Sequence, residues 1–140
     1  IEMDPMKDNP KQGDFLIRNL MGADRESGAL AIGALLRNGQ LVQFHLRDKQ
    51  MSAEDLDVML TRYLKQGNAE NAEGALLFSC LGRGKHLYGK ANHDTDMFLG
   101  KLGKIPLGGF FCNGEIGPVG NTTFLHGYTS SFGIFRPRGN

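Results

Sequence analysis

The sequence has no long hydrophobic run, no excess of one charge and almost no cysteine. None of its apolar runs approaches the roughly 18–20 residues that a helix needs to cross a bilayer, and no secretory signal is visible. We therefore expect no membrane insertion. The 16 basic and 15 acidic residues are well mixed and leave a net charge of +1. This argues against a nucleic-acid or anionic-lipid surface, because such a surface needs a patch of one sign.

The two cysteines, Cys80 and Cys112, each lie inside an apolar run. Because this is not the pattern of a disulfide framework, we expect a reduced, cytoplasmic setting. The sequence has no Cys-x-x-Cys pair, no local set of three or four metal ligands, no phosphate loop and no Gly-x-Ser-x-Gly elbow. We therefore predict a protein that is not an enzyme and that uses no metal or cofactor. A thiol enzyme or redox sensor stays open, because His86, His93 and His126 are available as bases.

Glycine is what the sequence has in excess, with 20 glycines in 140 residues. This is about twice the ~7% average and predicts many tight turns. The length fits one domain with a real core, which we place at residues 14–136. Residues 1–13 are predicted to be a linker or disordered lead-in, and residues 137–140 a tail. Since the chain opens on Ile and has its first Met at position 3, we expect a piece of a longer protein.

Hydrophobic periodicity predicts the order βββ-α-β-α-ββ. The first three strands, at 14–21, 29–37 and 40–47, would form an antiparallel meander with Asn38-Gly39 as its second turn. A helix would follow over 52–66, with Ser52 as N-cap and Gly67 just past its end.

The second half is predicted to hold a buried strand at 74–80 and a helix at 95–102 that Asn92 or Asp94 caps. Strands would follow at 106–112 and 124–135, the latter interrupted near Gly127. The predicted fold class is α+β, with a mixed, largely antiparallel sheet and two main helices packed mainly on one face.

Two glycine-rich loops begin where buried strands end, after Cys80 and after Cys112. Because one helical crossover joins the two strands, we expect their ends to lie side by side and to form a ligand site. Arg83 would bind a carboxylate and Glu115 an ammonium, which together complement an amino-acid-like zwitterion. The alternatives are that Arg83 and Glu115 pair with each other or with solvent. The predicted ligand-binding residues are Cys80, Gly82, Arg83, Gly84, Cys112, Asn113, Gly114, Glu115 and His126.

These loops resemble a known family, the FIST domain, in its C-terminal half and especially in its bacterial members. The resemblance is carried by FSCLGRG at 78–84, PLGGFFCNGEIGP at 106–118 and LHGYTS at 125–130, with DFLIRN at 14–19 and VQFHLRD at 42–48 upstream. It implies a sensory domain of a signal-transduction protein that binds a small ligand such as an amino acid. It also implies a preceding FIST N-type domain as a partner. A protein-interaction module is the alternative of a different class.

Overall fold

The computed structural model describes residues 1, 8–11, 13–67, 71–119 and 122–138. The helices are α1 (Lys49–Lys65), α2 (Lys85–Tyr88) and α3 (His93–Leu102), and the strands are β1 (Leu20–Ala23), β2 (Leu30–Ile32), β3 (Gly74–Cys80), β4 (Leu107–Cys112), β5 (Glu115–Val119), β6 (Thr122–His126) and β7 (Ser130–Phe135). Helices and mixed sheets together confirm the α+β class. The chain divides into two compact units, Ile1–Leu46 with Val119–Thr122, and Arg47–Pro118 with Thr123–Asn140.

The first unit contains a short antiparallel pair, β1 and β2, in which Leu20 lies opposite Ile32. The predicted turn at Asn38-Gly39 is present, since Gln40 N donates to the Arg37 carbonyl at 3.2 Å. The predicted third strand at 40–47 is wrong, because residues 33–48 form no strand. Leu35 and Leu46 are 99% and 98% exposed, so the hairpin has no buried face, and such ribbons are marginal in water.

The second unit is built on a three-stranded mixed sheet with the order β4-β3-β7. β3 runs parallel to β4, with Cys80 opposite Cys112, and antiparallel to β7, with Ser79 opposite Ser130. The expectation that the strands before the two loops end side by side is therefore confirmed.

The core lies on one face of this sheet, which we call the helix face. Leu56 and Leu60 of α1 and Phe98 of α3 pack there around Ala75 of β3. Phe98 is fully buried, and its ring stacks on Phe132 of β7 at 4.9 Å between centroids. Side chains alternate along a strand, so Ala75, Leu77 and Ser79 point to the helix face and Cys80 to the opposite face.

α1 begins earlier than predicted. Asp48, and not Ser52, is its N-cap, and the Asp48 side chain accepts a hydrogen bond from Met51 N at 2.9 Å. Both residue types suit that position. The end is as predicted: Gly67 has φ +71° and its N–H donates to the Leu64 carbonyl.

The segment after Cys112 is more regular than the predicted loop. β5 begins at Glu115 and pairs with β6. The predicted interruption of the strand at 124–135 is present, since β6 and β7 are separated by residues 127–129. α3 begins two residues before the predicted helix, and the side chain of Asn92 makes no cap bond. Residues 2–7 and 12 of the predicted lead-in, Gly120, and residues 139–140 of the tail lie outside the described residues.

Candidate functional site

Arg83 forms a buried ion pair with Asp94. The turn after β3 positions Arg83, whose N–H donates to the Cys80 carbonyl at 2.8 Å. Its guanidinium donates from Nε to Oδ2 of Asp94 at 2.7 Å and from Nη2 to Oδ1 at 3.1 Å. This is the bidentate geometry that suits guanidinium and carboxylate. Both side chains are only 6% exposed, so the pair fixes the loop after β3 to the start of α3.

Two further groups hold the Arg83 side chain. Nη2 donates to the Tyr88 hydroxyl at 2.6 Å, and Nη1 donates to the Tyr128 carbonyl at 3.3 Å. Burial opposes the charge of Arg83, but its bonds to Asp94 and Tyr88 outweigh that effect and raise the pKa of Arg83. The Tyr88 ring stacks on His93 at 3.5 Å. Arg83 is thus bound inside the protein, and the interpretation in which it meets only solvent or Glu115 is wrong.

Asp94 is the centre of this polar network. It accepts hydrogen bonds from Ser130 Oγ at 2.6 Å and Ser79 Oγ at 3.3 Å, and its Oδ1 lies 3.0 Å from His93 Nδ1. Burial raises the pKa of Asp94, but the bonds from Arg83, Ser130 and His93 together lower it to about 2. The carboxyl group is therefore ionised at neutral pH. From the sequence, Asp94 was predicted only as a possible helix cap, because no sequence motif links it to Arg83.

Glu115 belongs to a second network. It is 1% exposed, so the interpretation in which it faces water is wrong. Its Oε1 accepts from Cys112 Sγ at 3.4 Å, and its Oε2 accepts from Thr129 N at 3.3 Å and Thr129 Oγ1 at 2.9 Å. These bonds join the ends of β4, β5 and β7 around one carboxylate.

The two networks meet on the segment Tyr128–Ser130, which sequence reasoning noticed only as part of a family motif. Its carbonyl at 128 accepts from Arg83, and residues 129 and 130 donate to Glu115 and Asp94. Tyr128 has φ +65°, a conformation that costs a non-glycine residue about 1–3 kcal/mol. The guanidinium of Arg47 lies over its ring at 4.5 Å and also donates to the Gly82 carbonyl, which helps to hold this conformation.

The two charged groups that we predicted to share a site lie on opposite faces of the sheet. Asp94 holds Arg83 beside Ser79 and Ser130, which point to the helix face. Glu115 accepts a hydrogen bond from Cys112. Cys112 lies opposite Cys80 in the parallel register, so its side chain points to the other face of the sheet. The structure thus brings the two loops together but separates their charges.

A cavity of about 360 Å³ opens on the helix face between β4 and the start of α3. Leu77, Leu107 and Phe111 form an apolar wall, and Ser79 and Asp94 lie at a polar one. The other lining residues are Gly84, Lys85, Ala91, Asn92, His93, Thr95, Gly108, Gly109 and Phe110.

Gly84 is the predicted ligand-binding residue that lines this cavity. A Cβ at Gly84 would lie 2.9 Å from the Phe111 ring, so glycine keeps the wall open. Among the described residues, the lining does not include the other eight, and a direct ligand contact by them stays a prediction.

The surroundings of the cysteines disfavour thiol chemistry. Burial raises the pKa of Cys112; the backbone N–H of Gly114 opposes this effect and the hydrogen bond to Glu115 adds to it, so that the pKa stays raised, whereas reactive thiols need a lowered pKa. His126 Nε2 lies 3.0 Å from the Gly117 carbonyl, and the hydrogen bonds of Cys112 Sγ among the described residues go to the Ser79 carbonyl and Glu115 rather than to a histidine. Within the described ranges, no three His, Cys, Asp or Glu side chains are arranged to hold a metal ion. No helix of the described part combines the length and apolar character that crossing a bilayer requires.

Comparison with known proteins identifies the family. The FIST C domain matches residues 3–118. Protein Rv0628c of Mycobacterium tuberculosis is 44% identical over 126 residues, which is 90% of this chain and 33% of the relative. Protein Mb0898c of Mycobacterium bovis is 43% identical over 126 residues (90% and 32%), and F-box/LRR-repeat protein At5g63520 of Arabidopsis thaliana is 26% identical over 142 residues (91% and 27%).

The chain thus spans about one third of the length of the curated relatives that it matches. The mycobacterial relatives agree with the predicted bacterial type. FIST C domains form a sensory rather than a catalytic family of signalling proteins. The family match covers most of the chain, and the chain belongs to the FIST C domain family.

Proposed function

We propose that this chain is a non-enzymatic ligand-binding domain whose ligand, a small zwitterion such as an apolar amino acid, occupies the cavity between β4 and α3. The observation that supports this proposal is the composition of the lining, which combines an apolar wall with one anion and one cation. The volume of about 360 Å³ falls within the range of known ligand pockets. In the whole protein, a FIST N-type domain is the expected neighbour.

The anion of the lining is Asp94, which its own network holds ionised and immobile. Five hydrogen bonds already reach this carboxylate, and the bond from Ser79 Oγ at 3.3 Å is the longest of them. A ligand ammonium would take the place of Ser79, while the bonds from Arg83 and Ser130 keep the carboxylate in position, and such preorganisation favours binding. The cation is Lys85, which is exposed and whose ammonium has no partner among the described residues. Lys85 is therefore available for a ligand carboxylate.

This arrangement gives different roles to the residues predicted from the sequence. Lys85 and Asp94 take the charged roles that we assigned to Arg83 and Glu115, while Arg83 positions Asp94. Glu115 holds Thr129 in place and thereby helps to position the next residue, Ser130, whose hydroxyl donates to Asp94. Because side chains held by several bonds keep a site in shape, the first network fixes Asp94 in the wall of the cavity, and the network around Glu115 supports that wall without lining it.

Thermal unfolding with each common amino acid tests the proposal. Leucine, methionine or phenylalanine should raise the melting temperature, because a ligand at about 100 times its Kd stabilises the folded state by about 2.7 kcal/mol. Ala91 lines the cavity, whereas its exposed neighbour Lys90 does not. Ala91→Trp should therefore abolish the shift, and the matched variant Lys90→Trp should keep it. An equal shift in both variants would exclude this cavity as the site.

A further inference from the structure

The outer edge of β4 is unpaired among the described strands. β4 is the last strand of the sheet, and its six residues, LGGFFC, carry no charge. Phe110 and Phe111 are 63% and 55% exposed. Proteins usually protect such an edge with charge, proline or a cover, because its free N–H and C=O groups are a template for another strand.

The register shows which backbone groups are free. Ala75 N donates to the Pro106 carbonyl, and Leu81 N donates to the Cys112 carbonyl. Even-numbered residues of β4 therefore point their backbone groups at β3, and odd-numbered residues point theirs outward. The free groups belong to Leu107, Gly109 and Phe111, spaced about 6.6 Å apart. Only an extended backbone presents donors and acceptors at that spacing.

The cavity runs along this same edge. Five of the six residues of β4 line it. In a strand added to β4, every second side chain would point to the helix face and so toward the cavity. The exposed Lys85 in the lining complements an acidic group on that strand. Backbone pairing, an apolar wall and one cation together describe the known mode of β-strand addition.

We propose that the ligand of this cavity is a short extended peptide with an acidic group, whose backbone pairs with the outer edge of β4. This inference rests on the proposed function and extends its ligand from a free amino acid to a peptide that places an amino-acid side chain in the same cavity. An apolar side chain would enter the cavity, and a carboxylate, from an acidic residue or the C-terminus, would lie near Lys85.

Amide hydrogen exchange followed by NMR tests the proposal. The probe is a pool of hexapeptides with Leu or Phe alternating with Thr and with a C-terminal Glu. The pool should slow exchange at Gly109 and Phe111, by up to about 100-fold at about 100 times Kd, and leave the ladder amides of Gly108 and Phe110 unchanged. A matched pool with alternate N-methylated amides should not do so, and equal effects of the two pools would overturn the proposal.

A variant gives an independent result. Phe111→Pro removes an outward N–H without removing a bond to β3, so it should weaken peptide binding at least tenfold, whereas Phe111→Leu should not. Peptide binding unchanged by a folded Phe111→Pro would overturn the proposal. If that variant does not fold, the N-methylated pool decides. If free leucine raises the melting temperature but neither peptide pool slows amide exchange at Gly109 and Phe111, strand addition is refuted and the proposed function still stands.

Discussion

Arg83 and Asp94 lie 11 positions apart, and each looks like part of a separate local motif. In the sequence, Arg83 is a cation between glycines and Asp94 is an acid at a helix start. Their pairing depends on how the turn after β3 meets α3, which residue types cannot reveal. Residue types singled out the loop after β3, where Gly84 lines the cavity, and predicted a ligand for Arg83. The guanidinium of Arg83 pairs with Asp94 instead.

Removing one member of this pair should be costly. Arg83→Ala leaves the Asp94 carboxylate buried without its main partner, so the free energy of unfolding should fall by about 3 kcal/mol or more. The double variant Arg83→Ala/Asp94→Ala should lose less than the sum of the two single losses, because neither charge is then left unpaired. Urea denaturation measures all three variants, and additive losses would contradict the coupling.

The pair also predicts how stability depends on pH. The pKa of Asp94 is about 2 in the folded protein, below the usual ~3.9 of an unfolded chain. The stabilisation is therefore complete above about pH 5 and is lost as the pH falls from about 4 to 2, by about 2 kcal/mol. Asp94→Asn should be less stable at neutral pH and should lack most of this fall. If the free energy of unfolding of the variant falls equally steeply between about pH 4 and 2, other carboxyl groups cause the acid destabilisation.

At the scale of elements, hydrophobic pattern and turn chemistry placed the central sheet well. β3 has its predicted bounds, and β4 begins one residue after its predicted start, because apolar runs bounded by glycine and proline are strong strand signals. The same signals failed for β5. Its glycine and proline favoured a loop, yet pairing with β6 makes it a strand.

The predicted third strand at 40–47 failed for a different reason, whereas β1 and β2 form the predicted antiparallel pair in shortened form. Alternation at 40–47 predicts a strand only where one face is buried, and the large side chains there, such as Phe44 and Leu46, are 77% and 98% exposed. α2 was missed because it has four residues between glycines. Periodicity needs a longer window to detect a helix.

Alanine substitutions at two neighbouring glycines of β4 test how closely the backbone of β4 approaches that of β3. Gly109 has φ +149°, and a Cβ there would collide with the Leu77 carbonyl oxygen, whereas a Cβ on Gly108 would lie 3.6 Å from Leu76 Cδ2 in ordinary contact. Gly109→Ala should therefore lower the free energy of unfolding by about 3 kcal/mol, and Gly108→Ala by less than about 1 kcal/mol. Chemical denaturation compares them, and equal losses would contradict the described register.

At the scale of the whole molecule, the chain combines a small β-ribbon unit with a unit that holds the sheet, the polar networks and the cavity. Sequence reasoning identified the family and the two loops of this second unit. It could not find the cavity, because the lining comes from segments far apart in sequence, at Leu77–Lys85, Ala91–Thr95 and Leu107–Phe111. Only the packing of α3 against the sheet brings them together.

Titration of the isotope-labelled chain with free leucine, followed by amide NMR, tests the central claim most directly. We expect saturable shifts at Ser79, Lys85, Asp94 and Phe111, which line the cavity. Amides at Asn113 and Glu115, outside the lining, should shift less. Lys85→Ala should weaken binding about two- to fivefold, as the loss of a single exposed ion pair predicts, with Lys90→Ala as the matched control. Saturable shifts centred on Asn113 and Glu115, or no shifts at all, would contradict the account.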